Sequence, residues 1–385
     1  MARCRLDSTD VSRKPNLSFY EFFAGGGMAR IGLADHWRCL FANDFDAGKA
    51  AAYRANFQDA AAHFREGDVF AVETHHLPGQ ADLAWASSPC QDFSLAGSRA
   101  GLGGGRSSAF FGFWRLMQGL GGEGRAPRVI VVENVVGLLT SHGGADFEAV
   151  CRALGGAGYR FGALEIDAAA FTPQSRPRVF IVAAKGPCAP FEGPSPFHSR
   201  AVRAAHARLP ADLAAAWVWW RLDASARRNT DLAAMLEPDH GLRWRTSDQT
   251  RDLLALMDDR HRARVAAVVQ SGQRAIGAVF RRMRGGAQRA EVRFDGLAGC
   301  VRTPGGGSSR QLLLVIEDGE VRSRLMTARE GARLMGLPDT YKLPGSQSAG
   351  LAVIGDGVAA PVVRHLAANL IEPLLLAPAS AVAAE

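Results

Sequence analysis

Between residues 17 and 184 the chain alternates short, nearly unbroken apolar runs with stretches whose apolar residues recur at helical spacing. LSFYEFF (17–23), CLFAND (39–44), LAWASSP (83–89), RVIVVENV (128–135), FGALEID (161–167) and RVFIVAA (178–184) read as strands. ARIGLADH (29–36), AGKAAAYRANF (47–57) and DFEAVCRALGGAGY (146–159) read as helices between them. A strand that is apolar along its whole length is covered on both faces, and strand–helix alternation is how parallel strands are joined. The pattern predicts an α/β fold built on a mostly parallel sheet.

After KGPCAPFEGPSPF the pattern breaks, and four prolines within residues 187–196 mark an edge. Residues 197–270 read as mainly helical, and 276–316 as mixed around the glycine-rich loop RTPGGGSSR. Regular structure returns near 324 with MTAREGARLMG, where Thr327 followed three residues later by Glu330 predicts a capped helix. VAAPVVRHLAANLIEPLLL closes the pattern as a final helix. The expected organisation is a tail over 1–17, a main domain over 18–185, a smaller inserted domain over 186–320, a return to the main domain over 321–377, and a tail over 378–385.

Charge changes this picture. The net charge is +7, and residues 241–310 carry 14 arginines against 6 acidic residues, so the excess sits in the inserted segment. A basic cluster in a near-neutral chain is what a phosphate-binding surface requires. No apolar run approaches the roughly 20 residues of a membrane span, and the start of the chain lacks the apolar core of a signal peptide. The six cysteines include no C-x-x-C pair and no metal-ligand spacing, so reduced thiols in a cytoplasmic protein are expected.

Chemistry concentrates where strands end. FAGGG (Phe23, Gly25, Gly27) follows the first strand and opens a helix, as in Rossmann-like nucleotide sites, where glycine lets a ligand approach the backbone. Asp44 at the tip of the next strand is placed to bind ribose hydroxyls, Phe45 to stack on a purine, and Asp68 ends a third strand. Cys90, in the turn SSPCQDFSLAG, is announced by turn residues rather than hidden in a core, which suits a nucleophile. Glu133 ends an apolar strand in ENV, and QSRPR brings Gln174, Arg176 and Arg178 onto another strand, with both arginines on one face.

In this order FAGGG, PCQ, ENV, QSRPR, RLMTAREGARLMGLPD and GDGVAAPVV resemble the motifs of the bacterial DNA (cytosine-5) methyltransferases. The likeness spans about residues 18–185 and 320–377, and the basic segment falls where that family keeps its target-recognition domain. The resemblance implies a class I methyltransferase fold, S-adenosylmethionine as methyl donor with S-adenosylhomocysteine as product, and double-stranded DNA as substrate. It implies that Cys90 adds to C6 of a flipped cytosine while Glu133 holds and protonates N3. Arg178 would bind the O2 side, supported by Arg176 and Gln174. Phe23, Gly25, Gly27, Asp44, Phe45, Asp68, Pro89, Asp356 and Gly357 would hold the donor. Gln91, Ser94, Arg99, Arg302 and Thr303 would contact DNA. A monomer is expected, near the nucleoid, with a restriction endonuclease as functional partner and no metal.

The chain departs from the family pattern in places. Asp356-Gly357 stands where the family usually has Asn-Ser, so a carboxylate would favour the donor's amino group and repel its carboxylate. Met28 and Gly112 also replace commoner residues. Other functions stay open on the residues alone. A transfer-RNA cytosine methyltransferase would share the motifs, an inactive DNA-binding relative would share the fold, and an NAD-linked oxidoreductase would use FAGGG but leave Cys90 and Glu133 without work.

Overall fold

The computed structural model describes residues 16–89, 109–225, 228–304 and 310–377. The larger sheet comprises β1 (Leu17–Phe22), β2 (Trp37–Asp44), β3 (Phe64–Glu66), β4 (Leu83–Ala86), β5 (Val129–Val135), β6 (Arg160–Asp167) and β7 (Pro177–Ala184), in the order β3-β2-β1-β4-β5-β7-β6. β3, β2, β1, β4 and β5 run parallel. β7 is antiparallel to both β5 and β6, a reversal that the uniformly apolar strand sequences do not reveal.

The helices on this sheet are α1 (Met28–Leu33), α2 (Ala47–Asn56), the single turn α3 (Ala60–His63), α4 (Ala109–Gly122) and α5 (Ala145–Gly156). Because side chains alternate across a strand, Val129 and Val131 enter one core with Phe19, Trp85 and Phe180. Ile130 and Val132 enter the other with Phe22, Phe113 of α4 and Phe147 of α5. Both faces are covered, which is why the strands read as continuous apolar runs. Gly112 of α4 permits close approach to the segment after β3, since a Cβ there would lie 2.6 Å from a Val69 methyl.

The inserted part holds α6 (Arg200–His206), α7 (Ala211–Ala215), α8 (Ser247–Ala255) and α9 (Asp259–Ser271), then β8 (Ala275–Arg284), β9 (Ala287–Arg293), β10 (Leu312–Glu317) and β11 (Glu320–Leu325). These strands form an antiparallel sheet in the order β11-β10-β8-β9. Along β10, Leu312, Leu314 and Ile316 pack with α8 and α9, while Leu313 and Val315 join the main core. The sheet therefore continues through Leu325, five residues beyond the expected boundary at 320.

Within the span expected to be mainly helical, the described residues of 216–246 carry one short turn, Ala233–Met235. WVWWRL runs along the larger sheet instead. Trp220 is fully buried, its Nε1 donating to the Val182 carbonyl at 2.9 Å, and Trp217 pairs edge-to-face with Phe161. Tryptophan burial overrides helix propensity here.

The chain returns as α10 (Ala328–Leu334), α11 (Gln347–Gly355), α12 (Ala360–Leu366) and α13 (Glu372–Leu376). Thr327 caps α10 in a box with Glu330, as the sequence predicts. The stretch Gln347–Leu376 has the length and apolar composition of a membrane span, contrary to the expectation that no run approached it, yet 61% of its most apolar window is buried inside the fold. α12 lies directly on α1, where a Cβ on Gly32 would come within 2.4 Å of Val363.

Candidate active site

The ends of β1, β2, β4 and β5 open into one cavity of about 890 Å³, roofed by the turn after α11. Carboxyl ends of parallel strands are where such sheets bind ligands, because strand order reverses and loops part there. β1 ends in a turn with Phe23 at φ 58°, Gly25 at φ 56° and Gly27 at φ 80°. A Cβ on Gly25 would meet nothing within 4 Å, so its backbone borders open space. Gly27 does not line the cavity, contrary to expectation. Its missing side chain makes room for Phe57, which a Cβ would approach to 2.2 Å.

Asp44 ends β2 with both oxygens held by backbone, accepting from Gly25 N at 2.7 Å and Asp46 N at 3.0 Å. Burial lifts its carboxyl above the ordinary value, and these amides offset part of that. Phe45 beside it is 73% exposed and lines the cavity with a flat apolar surface. Asp68 lines it too, accepting from Phe70 N at 2.9 Å.

At the other end stands Glu133, the third-last residue of β5 and almost wholly buried. Its Oε1 lies 3.2 Å from Arg178 Nε on the neighbouring β7. The antiparallel pairing sets Val135 opposite Arg178 and Glu133 opposite Phe180, so carboxylate and guanidinium share a face. A buried carboxylate without a partner would be costly, and Arg178 supplies the compensating charge. Asn134 donates to the Ser88 carbonyl at 2.9 Å and so ties β5 to the segment that leads through Pro89, also a lining residue, to Cys90. Cys90, Gln91, Ser94 and Arg99 lie outside the described residues.

Gln174 and Arg176, expected beside the catalytic groups, do not line the cavity. Arg176 is buried and donates to the carbonyls of Val301, Gly355 and Gly357 at 2.8, 2.9 and 2.6 Å. Gln174 donates to Leu334 O and accepts from Val301 N, each at 2.9 Å. Together they fasten the end of the inserted segment and the turn after α11 to the main sheet. Thr303, expected on DNA, donates to Asp356 Oδ1 at 2.6 Å, and Arg302 is exposed next to it.

Glu21, Asn134 and Lys49 are among the lining residues that the sequence did not single out. Glu21 sits inside β1 with Oε2 lacking a partner among the described residues, and burial pushes its carboxyl up to about 8. A lone acid within LSFYEFF was the available signal. Asn134 and Lys49 carried no such mark, since an Asn after Glu and a Lys opening a helix are common surface residues. The Met28 departure does have a structural consequence. A Cβ on Gly357 would fall 2.0 Å from Met28 Cε, so methionine occupies the space that a residue larger than glycine would need.

The donor set can be tested against a nucleoside carrying a charged tail. An exposed aromatic face, a strand-end carboxylate, an open glycine backbone and an orphaned buried carboxyl in one cavity fit such a ligand.

Comparison with known proteins agrees with this arrangement. Residues 17–372 match the family model described as C-5 cytosine-specific DNA methylase. The Bacillus subtilis type II methyltransferase M.BsuFI is 26% identical over 368 residues, covering 95% of this chain and 75% of that protein. The Haemophilus parahaemolyticus type II methyltransferase M.HhaI is 25% identical over 358 residues, covering 92% and 94%. The crystal structure of the S. pombe Dnmt2 methyltransferase superposes with a TM-score of 0.60 at 17% identity, covering 93% of this chain and 99% of that one, which supports the fold.

Proposed function

The chain belongs to the C-5 cytosine-specific DNA methylases, and from that premise we propose that it methylates C5 of a cytosine flipped out of double-stranded DNA, through a covalent adduct on Cys90. The enzyme class follows from the family; the mechanism and residue roles are our reading. The observation that carries it is the shared cavity, in which the Glu133–Arg178 pair stands across from the glycine turn and Asp44.

Carbon 5 of cytosine is a weak nucleophile. A thiolate from Cys90 adding to C6 pushes electrons toward N3, and Glu133 delivers the proton that N3 takes up. Arg178 holds Glu133 in place and faces the O2 side of the ring. The resulting enamine is nucleophilic at C5. When bound, S-adenosylmethionine supplies the electrophilic methyl group, with Phe45, Asp44, Asp68 and the backbone at Gly25 as its holding groups. A base then takes the C5 proton, the C5–C6 double bond re-forms as the thiolate leaves C6, and N3 returns its proton to Glu133. The flipped geometry is required because a stacked base hides both C5 and C6.

Sequence choice on this reading belongs to the inserted segment. The β8–β9 hairpin presents Arg282, Arg284 and Arg289 exposed at its end, beyond the part that packs in the core. Phosphate contacts position such a protein, and arginine reading guanine O6 and N7 is the commonest specifying contact, so the target holds a guanine beside the cytosine. A cytoplasmic, DNA-associated place and a partner restriction enzyme belong to the same proposal. Bisulfite sequencing of DNA from cells expressing the chain tests it. Conversion-resistant cytosines at one recurring sequence are expected; none with the intact chain, or an equal level with Cys90→Ser, would overturn it.

A further inference from the structure

Asp356 is the point at which the sequence raises a difficulty, since a carboxylate there would repel the carboxylate of an amino-acid tail. The structure sets Lys49 against it, with Nζ 2.7 Å from Asp356 Oδ2. The two residues are 307 positions apart and both line the cavity. Asp46 caps α2 by accepting from the Lys49 backbone amide at 2.9 Å, which fixes the first turn from which the lysine reaches inward. Its side chain is only 18% exposed.

The charge around the cavity sharpens the point. Among the described lining residues the acids are Glu21, Asp44, Asp68, Glu133 and Asp356, and the cations are Lys49 and Arg178 alone. Arg178 is engaged by Glu133. A ligand bearing a carboxylate therefore has one described cation to meet, and an ammonium has three N–H donors, of which one direction is taken by Asp356.

We propose that Lys49 is a binding residue of the methyl-donor site, receiving the carboxylate of the donor's amino-acid tail while Asp356 receives its ammonium. This rests on the reading of the cavity as the donor site. The preformed ion pair keeps the subsite neutral before loading, and a zwitterion inserts between two opposite charges already in register. Thr303 holds the far oxygen of Asp356, so the carboxylate is fixed from the side of the inserted segment.

Calorimetric titration with two ligands separates the possibilities. S-adenosylhomocysteine carries the amino-acid tail; 5′-methylthioadenosine keeps the nucleoside and lacks it. Lys49→Met should weaken S-adenosylhomocysteine by about tenfold to a hundredfold, the usual worth of a charge-assisted hydrogen bond, and leave 5′-methylthioadenosine unchanged. Lys49→Arg should retain most of the affinity. Unchanged S-adenosylhomocysteine binding in Lys49→Met, or an equal loss for both ligands, overturns the assignment. An intact protein that binds neither ligand sinks the reading of the cavity itself.

Discussion

The two sheets of this molecule solve different problems. The larger one is parallel over five strands, buried on both faces, and ends in a cavity lined by carboxyls. The smaller one is antiparallel, buried along β10 and over parts of β8, β9 and β11, and carries an arginine-bearing hairpin into solvent. Chemistry needs desolvated groups held in fixed geometry, and recognition of a polyanion needs exposed cations that can follow it. The difference teaches that charge sign and burial divide along the sheets. They meet at a polar joint: Arg176, just before β7 of the larger sheet, holds Val301, and Arg324 of β11 pairs with Glu330 of α10 at 1% exposure each.

The sharpest way to break this division is to disable one side and measure the other. Cys90→Ser should abolish methyl transfer, and Glu133→Gln should lower it by about 10²–10⁴-fold, the usual range for a positioned proton donor. DNA affinity measured by fluorescence anisotropy should stay within a factor of a few. A large loss of affinity in either variant would mean that the cavity side also carries binding.

Next in size is the joint. Removing one partner of a buried ion pair leaves an uncompensated charge, so Arg324→Met should cost about 3–5 kcal/mol of stability in urea unfolding. Arg324→Met/Glu330→Leu should cost less than the single change. If the single variant unfolds like the parent chain, the joint is not what holds the two sheets together.

A smaller, pH-dependent effect belongs to the cavity side. Glu21 has its folded value lifted to about 8, so its protonated form favours the fold. That contribution is complete below the ordinary carboxylate range and is lost as pH rises through about 8. The stability of Glu21→Gln relative to the parent chain, measured without ligand, should therefore climb between pH 5 and 8 by at most about 1.4 kcal/mol per pH unit. A flat difference would mean that the carboxyl ionises without penalty.

The smallest single effects fall on the hairpin. Neutralising Arg282, Arg284 or Arg289 one at a time should each lower the log–log salt slope of DNA binding by about 0.9, with turnover at saturating DNA retained. An unchanged slope would move the phosphate-binding surface away from β8–β9. Exchanging the inserted segment for that of a relative with another target extends the same test, and an active chimera that keeps the original site would break the division.

Much of the site was legible beforehand because its residues end strands, and strand ends are local events. Asp44, Glu133 and Phe45 could be placed from apolar runs that stop and turns that begin. Gln174 and Arg176 were legible as a motif but not as a brace, since the carbonyls they hold come from residues 301, 334, 355 and 357. Glu21 was passed over because one acid within a strand looks the same whether it faces water or a cavity.

What the sequence determined by itself were most strands of the larger sheet, the helices α1, α2 and α5 between them, the capped return at Thr327, and the order of chemical groups along the chain. These depend on side-chain period and turn chemistry within a few residues. Tertiary structure alone decided the reversed β7, the pairing of Lys49 with Asp356, and the fit of Met28 against Gly357. Each joins segments far apart in the chain, and such contacts are set by sheet register and helix packing, which no local pattern encodes.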